Sequence, residues 1–427
     1  MAVHVIRTNR GLVKPAEQKA STTLDLSPID RLPVLRCNAR TLHVFRYGPQ
    51  ASMVIREALS RALVPYYPLA GRLSQPEQCP LQIECSGEGV WFVEASASST
   101  LASVNYFDDV ESIPYDDLLP DQIPDPETEH FDPLVKMQVT QFRCGGFVIG
   151  LIFCHSVCDG LGAAQFLKAI GEVARGLENP IIAPVWHRDF FPLTSDEETL
   201  SELPKLPPGP PPVPEYKLEH ANIDIPIDHI HRLKREFQQV TGQNCSAFEI
   251  LSAGFWISRT RAINLGPNTL VKLVFFANCR QLLNPPLPEG FYGNCFFPVT
   301  ITIPSESLTQ ASMIEAIKFI QEGKARLPAE FYKYLKGERL KDGEDPFAPP
   351  LAYTTLFISE WGRLGFNEVD YQWGPPVHVV PIQGSSIIPV GIVGSLPLPR
   401  KGIRLMTWCV EEAHRGPFLH QMTSWTH

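Results

Sequence analysis

The chain has 427 residues, of which 44% are hydrophobic and 19% are charged, and its net charge is −9. This length exceeds that of one ordinary hydrophobic core and predicts two domains. The low charged fraction excludes an intrinsically disordered chain. Because the balance is acidic and no run of Lys or Arg occurs, we expect no nucleic-acid partner.

The cysteines and the apolar stretches indicate a cytoplasmic protein. Ten cysteines are scattered without a CxxC pair, which predicts reduced thiols. The first residues contain no apolar leader, and the longest uncharged stretch, 371–399, holds six prolines and predicts short strands. His229 and His231 lack Cys or carboxylate partners at ligand spacing. From the apolar stretches we expect no membrane anchor, and from the histidine spacing we expect no metal site.

Hydrophobic spacing predicts the elements of the first half in chain order. Residues 53–64 have the period of an amphipathic helix. Three short strands follow, at 81–86, 90–95 and 134–142. The acidic stretch 108–132, with ten acidic residues and no Lys or Arg, is interpreted as a solvated loop.

A strand, a short loop and a helix are predicted next. Residues 147–154 form a continuous apolar run, which is typical of a strand buried on both faces. Helical spacing resumes over 162–173.

Proline marks the domain boundary. Seven of the twelve residues in 203–214 are proline, which predicts a semi-rigid crossover between two lobes, although a ligand for a proline-binding module has the same composition. We place the N-terminal lobe at 1–190, the crossover at 191–216 and the C-terminal lobe at 217–427. Helices are expected in the second lobe at 227–240 and from Ser246 onward.

His155 is the strongest catalytic candidate. It follows the buried strand, and Asp159 and Gly160 come four and five residues later. Imidazole gains and loses a proton near neutral pH, so a histidine presented by a strand end can deprotonate an alcohol or amine that attacks an activated carbonyl. The alternative is a hydrogen-bonded core histidine. The chain has no GxSxG motif, which argues against the commonest serine hydrolases.

Two other ligand types are considered. Residues 160–165, GLGAAQ, follow a strand and open a helix as a dinucleotide fingerprint does, but Gln165 stands where a small residue is needed. The phosphates of a nucleotide thioester need N–H groups and cations, which Ser246, Arg259 and Lys272 can supply. Each of these residues is equally compatible with an ordinary helix cap or surface charge.

Several motifs occur in an order that we recognise. They are LSPIDRLP, YYPLAGRL, ECSGEGVWFVEA, HSVCDG at His155, SAFE, FFANCRQLLNPPLPEGFYGNC and LGFNEVDYQWGPP. With these motifs the whole chain resembles the plant BAHD acyl-CoA-dependent acyltransferases. Its segments look most like the group that contains the p-coumaroyl-CoA:monolignol transferases.

The resemblance implies an α/β fold of two chloramphenicol-acetyltransferase-like lobes with mixed β-sheets and flanking helices. It implies that His155 is the general base, and that Asp159, with Gly160 beside it, pairs with Arg280 to fix the catalytic loop. Trp373, in the segment that matches the family's DFGWG motif, would donate its indole N–H to the oxyanion. Most of the CoA-binding surface would belong to the C-terminal lobe.

The resemblance also implies the substrates. Acyl-CoA would be a co-substrate with no bound cofactor, and the chain would act as a monomer on a small alcohol or amine. An aromatic acyl donor is expected, and Arg36 and Asn38 are the candidates for the acceptor side. An N-acyltransferase and a benzoyl- or acetyl-transferring enzyme are the alternatives. Gln372 replaces the first glycine of DFGWG, and a glycine in a tight loop often has a positive φ that glutamine disfavours. A catalytically inert protein that binds a CoA thioester or a partner protein is therefore a further alternative.

Overall fold

The computed structural model describes residues 3–76, 79–123, 132–190, 216–338, 345–348, 351–382 and 388–426. The predicted crossover lies outside these residues except for Tyr216, and so does part of the predicted acidic loop. None of the helices in the described ranges is long and apolar enough to cross a membrane.

The first lobe is built on a mixed sheet in which six described strands have the order β1-β6-β7-β8-β3-β13. Their bounds are β1 Val5–Val13, β3 Asn38–Phe45, β6 Val90–Ala97, β7 Val135–Phe142, β8 Phe147–Cys154 and β13 His378–Pro381. A small antiparallel sheet adds β2 Thr23–Asp25, β4 Arg72–Ser74 and β5 Gln82–Glu84. The helices of this lobe are α1 Ala51–Ala62, α2 Tyr115–Leu118 and α3 Gly160–Ala174.

Strand β8 is apolar throughout because both of its faces are covered. Ile149 and Leu151 pack in the core that contains α1 and α3, whereas Val148 packs in a separate core on the other face. The predicted doubly buried strand is therefore confirmed, and the helix predicted after it is α3.

The second lobe is built on a mixed sheet whose described strands have the order β11-β10-β12-β14-β15-β9. Their bounds are β9 Glu219–Pro226, β10 Leu270–Asn278, β11 Phe296–Pro304, β12 Thr355–Glu360, β14 Val390–Ser395 and β15 Gly402–Val410. The helices are α4 Ile227–Thr241, α5 Ala247–Ile263, α6 Ser305–Gln310, α7 Met313–Leu335 and α8 Glu412–Thr426.

The two faces of this second sheet have different environments. One face carries Val271 and Leu273 into the core under the helices. On the other face, Ile392 of β14 and Met406 of β15 belong to one buried cluster with Leu42 of the first lobe. That face joins the lobes at β14 and β15, and it bears the half-exposed Phe276 on β10, next to the edge strand β11.

The predicted α/β fold with two mixed sheets is confirmed, with one correction to the division between the lobes. Strand β13 belongs in sequence to the predicted C-terminal lobe, yet it pairs antiparallel with β3 of the first sheet, Val379 opposite His43. Without β13, β3 would be an unpaired edge of the first sheet, and the segment after β12 covers that edge.

The loop Asp370–Gly374 leads into β13. Asp370 Oδ1 accepts hydrogen bonds from the backbone N–H groups of Gln372 and Gly374, both at 2.8 Å. Gln372 has φ of 87° and Gly374 has φ of 91°. The backbone of Gln372 is therefore in the left-handed region that favours glycine, as the departure from DFGWG suggested.

We predict that Gln372→Gly raises the free energy of unfolding by about 0.5 kcal/mol, because relief of left-handed strain exceeds the added entropy of the unfolded chain. Chemical denaturation measures the change. Gln239→Gly, at an exposed position inside α4, should lower the same free energy by about 1 kcal/mol. A decrease of equal size for both variants would contradict the strain at Gln372.

Candidate active site

His155 is the first residue after β8, and both lobes hold its main chain. Its N–H donates to the carbonyl oxygen of Cys37 at 2.9 Å. Its carbonyl oxygen accepts from Asn294 Nδ2 at 2.8 Å, and Asn294 belongs to the C-terminal lobe. The position of the catalytic candidate thus depends on how the lobes dock.

The imidazole of His155 has one enclosed nitrogen. Its Nδ1 is buried and has no hydrogen-bond partner among the described residues. The ring lies between Phe153, with centroids 6.4 Å apart, and Phe296, 6.3 Å away and edge-on at 75°. Because Nδ1 is enclosed, Nε2 is the nitrogen that remains for a substrate proton.

Asp159 and Arg280 form a bidentate ion pair across the lobes. Arg280 Nη1 lies 2.8 Å from Asp159 Oδ2, and Nη2 lies 2.9 Å from Oδ1. Arg280 Nη2 also donates to the carbonyl oxygen of Gly293 at 2.6 Å. Although burial alone lowers the pKa of the guanidinium, the Asp159 carboxylate outweighs it and raises the pKa of Arg280 above its ordinary value.

The same carboxylate ends the catalytic loop. Asp159 is the N-cap of α3, and its Oδ1 accepts from the N–H of Gly162 at 3.0 Å. Gly160 opens the helix, where a Cβ would lie 2.6 Å from a methyl group of Leu364. The hydrogen bonds described for Asp159 go to the cap and to Arg280 and not to His155, so the pair fixes the loop that carries His155.

The dinucleotide alternative is wrong, because the Asp159 carboxylate takes the place that a pyrophosphate would need at the start of α3. A fingerprint helix offers its first N–H groups to a pyrophosphate. Here the Asp159 carboxylate already occupies that end, and a Cβ at Gly162 would lie 1.8 Å from the carbonyl oxygen of Tyr292. Gln165 donates to the Tyr66 hydroxyl and to the carbonyl of Gly290, both at 3.0 Å, so the helix is packed against protein.

A second buried polar cluster beside the loop has no counterpart in the sequence predictions. Asp30 Oδ1 accepts from Asn294 Nδ2 at 2.8 Å, and Asp30 Oδ2 lies 2.8 Å from Arg188 Nε. Arg188 Nη2 donates to the carbonyl of Val157 inside the loop at 2.7 Å. The motifs LSPID and FYGNC contain Asp30 and Asn294, so their presence was a signal, whereas Arg188 lies in no motif.

The position of Trp373 contradicts its predicted role. Its ring packs edge-on against Phe147, with centroids 5.8 Å apart. Phe147 begins β8 and His155 follows the end of that strand, so about 25 Å of extended chain separates them. Trp373 cannot donate to an oxyanion at His155, and its contacts are those of a packing residue.

Arg259 is also wrongly predicted as a CoA ligand. Its side chain is 1% exposed, and burial lowers the pKa of its guanidinium. It donates to the carbonyls of Cys409, at 2.7 Å, and Tyr353. A phosphate cannot reach a cation that is enclosed in the lobe and bound to backbone carbonyls.

Ser246 caps α5 in a capping box with Glu249. Its Oγ accepts from the N–H of Glu249 at 3.2 Å, and the Glu249 carboxylate accepts from the N–H of Ser246 at 2.9 Å. The same carboxylate is paired with Lys324. Of the roles that the sequence allowed for Ser246, the structure therefore shows the helix cap, and the Glu249 carboxylate lies at this helix end.

Lys272 lies on β10 between Val271 and Leu273. Because those two side chains enter the helix-covered core, the Lys272 side chain lies on the opposite face. That face is the one that carries Phe276, about 13 Å further along the strand.

Arg36 and Asn38 line one pocket of about 260 Å³ next to the catalytic loop. Cys154, the neighbour of His155, lines it too, as do Leu73, Leu81 and Leu134. Cys37, between the two candidates, accepts the His155 N–H. Arg36 and Asn38 are therefore the chain neighbours of Cys37, the residue that holds the His155 N–H.

Across the described ranges, no group of three His, Cys, Asp or Glu could hold a metal ion.

We predict that Asp159→Asn lowers the free energy of unfolding by about 3 kcal/mol, since it leaves the Arg280 charge buried without its counter-ion. Activity should fall with it because the loop loses its anchor. Thermal melting and turnover measure both effects. Glu368→Gln, which breaks the exposed pair with Lys168, is the matched control and should cost less than about 1 kcal/mol. An unchanged melting temperature for Asp159→Asn would contradict the anchoring role.

Three plant proteins illustrate the relatives of this chain. Acyl transferase 4 of Oryza sativa subsp. japonica is 42% identical over 99% of both chains. Myricetin 3-O-glucosyl 1,2-rhamnoside 6'-O-caffeoyltransferase AT2 of Crocosmia x crocosmiiflora is 37% identical over 100% of both. The 3'-N-debenzoyl-2'-deoxytaxol N-benzoyltransferase of Taxus canadensis is 34% identical over 95% of this chain and 93% of its own.

Solved structures match the fold. Vinorine synthase aligns with a TM-score of 0.72 at 19% identity, covering 99% of this chain and 100% of its own. TRI101 of F. sporotrichioides, solved with coenzyme A and T-2, aligns with a TM-score of 0.72 at 14% identity, covering 94% and 98%. The model of the Transferase family matches residues 2–389. The chain therefore belongs to the Transferase family and is a BAHD acyl-CoA-dependent acyltransferase, an enzyme for which acyl-CoA is a co-substrate.

Proposed function

We propose that this enzyme transfers a hydroxycinnamoyl-type acyl group from its CoA thioester to the hydroxyl of an alcohol such as a monolignol. The observation that carries the proposal is the placement of His155. Its main chain is held by Cys37 of one lobe and Asn294 of the other, with one enclosed ring nitrogen. Such a fixed imidazole suits a general base in a ternary complex.

In the proposed reaction, His155 Nε2 takes the proton of the acceptor hydroxyl as that oxygen attacks the thioester carbonyl. The tetrahedral intermediate then collapses, the carbon–sulfur bond breaks, and the proton on Nε2 passes to the departing CoA thiolate. No covalent acyl-enzyme forms, because the acceptor oxygen itself is the nucleophile. The Asp159–Arg280 pair acts only by holding the loop.

The caffeoyltransferase relative supports an aromatic donor and an oxygen acceptor. The N-benzoyltransferase relative keeps amide formation as the alternative, since the same base can deprotonate an attacking amine. Benzoyl and acetyl donors to oxygen are further alternatives.

The two ends of the substrates are proposed to occupy different parts of the molecule. Arg36 and Asn38 would contact the acceptor, since they line the pocket beside the base. Lys272 would contact a CoA phosphate, because its side chain shares the face of β10 that carries Phe276. Ser246 would contribute its hydroxyl proton, because in the capping box its Oγ serves only as an acceptor, of the Glu249 N–H.

We predict that His155→Ala lowers kcat by a factor of about 10² to 10⁴, the usual contribution of a general base, while the protein still folds. Steady-state kinetics and thermal melting measure both. His420→Ala, at an exposed histidine on α8, is the control and should leave kcat unchanged. A kcat for His155→Ala within about tenfold of wild type would remove the assignment.

We also predict ester formation from p-coumaroyl-CoA and coniferyl alcohol. The assay follows CoA release as free thiol and identifies the product by mass, with feruloyl-, benzoyl- and acetyl-CoA as other donors and benzyl alcohol and an aliphatic amine as other acceptors. An amide product would replace O-acylation by the alternative. If folded enzyme released CoA with no pair, the chain would be a CoA-thioester-binding protein with an impaired loop at Gln372.

A further inference from the structure

Two phenylalanines extend from the catalytic base along the open face of the second sheet. We propose that Phe276 and Phe296 form an aromatic wall against which the ring of the transferred acyl group stacks, so that these residues set the preference for aromatic donors. This inference rests on the proposed function and specifies how its donor is recognised.

The strand register places both side chains on the same face. In β10, Leu273 and Phe275 enter the helix-covered core, so the alternating Phe276 lies on the opposite face. In β11, Val299 and Ile301 enter that core, which places Phe296 on the same open face. Asn278 of β10 is opposite Phe296, and Phe276 is opposite Pro298, so the two rings are diagonal neighbours.

The rings form a continuous path from the base. The ring centroid of Phe296 lies 6.3 Å from that of the His155 imidazole, and the centroid of Phe276 lies 5.3 Å from that of Phe296, each contact edge-on at 75°. Phe347 supports Phe296 from another side at 6.2 Å. Phe276 is nevertheless 45% exposed. A large apolar ring kept half in water beside a catalytic base is a surface that gains free energy when a ligand ring covers it.

The acyl group fits this wall better than the other parts of the substrates. The carbonyl carbon must lie within reach of Nε2 through the acceptor oxygen, so a planar acyl ring conjugated to it extends over the same few ångströms that Phe296 and Phe276 span. The pantetheine arm is a flexible chain of amides that needs hydrogen-bond partners, which a phenyl ring does not supply. The acceptor candidates Arg36 and Asn38 line a separate pocket in the first lobe.

The test compares donors in Phe276→Leu, because Phe276 contacts Phe296 and has no contact with the His155 ring. We expect kcat/KM for p-coumaroyl-CoA to fall about 3- to 10-fold in this variant, the range of one aromatic pair contact. With acetyl-CoA and the same alcohol, kcat/KM should change less than about twofold, because an acetyl group is too short to reach Phe276. Tyr47→Leu is the matched control, since this tyrosine is 55% exposed and lies next to Gly145, near the start of β8.

Three results would overturn the wall. Equal losses with both donors would assign the rings to the pantetheine arm. If, with acetyl-CoA as donor, kcat/KM fell for benzyl alcohol but not for an aliphatic alcohol, the rings would be assigned to the acceptor. No loss with any substrate would leave them without a role in recognition.

A binding measurement separates this inference from the proposed function. In His155→Ala, calorimetry should show that p-coumaroyl-CoA binds more tightly than acetyl-CoA, and Phe276→Leu in the same background should reduce that preference about 3- to 10-fold. If wild type transferred no aromatic acyl group while the binding preference persisted, the proposed function would fail and the wall would stand. Equal affinities for the two thioesters would refute the wall itself.

Discussion

The ion pair between Asp159 and Arg280 is the constraint on which the catalytic arrangement depends. Both groups are almost enclosed, so each charge needs the other to offset its desolvation. Asp159 belongs to the loop after β8 and Arg280 to the segment after β10, so the pair also joins the lobes. The bidentate contact fixes direction as well as distance, because the planar guanidinium accepts a carboxylate in few orientations.

The faces of the second sheet explain why the site lies where it does. Ile392 and Met406 bury one part of the non-helical face against the first lobe. Phe276, on β10 next to the edge strand β11, remains half exposed on that same face. The docked part holds the lobes together, while the other part carries Phe296 against the His155 ring. One continuous sheet thus supplies both the interface and the wall of the site.

The sequence predicted the elements whose cause is local. An uninterrupted apolar run predicted β8, because a strand buried on both faces is apolar at every position. Apolar residues at helical spacing predicted α3, because a helix buried on one side is apolar at every third or fourth position. Ser246 was correctly recognised as a possible cap, since the capping box is a pattern of four residues. The Asp159–Arg280 contact was available only through the family resemblance, because 121 residues separate its members.

The failures have physical causes that can be named. Trp373 was assigned to the site because its motif resembled a family signature, but neither motif nor spacing encodes its distance from His155. Arg259 was misplaced although a signal existed: residues 247–257 at the start of α5, AFEILSAGFWI, are apolar on nearly every side and contain one charged residue, Glu249. A helix that is apolar on all sides is enclosed, and a cation within it must be satisfied by the protein. Residues 378–381 were placed in the C-terminal lobe by their position in the sequence, because a short apolar strand fits any free edge and only the assembled lobes show which edge is available.

The distribution of roles between the lobes has a consequence for catalysis. His155, the proposed base, belongs to the first lobe, but Asn294 and Arg280 of the second lobe hold its carbonyl and its loop. Phe296, on the strand that begins just after Asn294, packs against the imidazole. The single segment 280–296, from the end of β10 into the start of β11, therefore contacts the backbone, the loop and the ring of His155. Any change that shifts this segment alters the base and its surroundings together, so activity in this fold is a property of the docked lobes and of neither lobe alone.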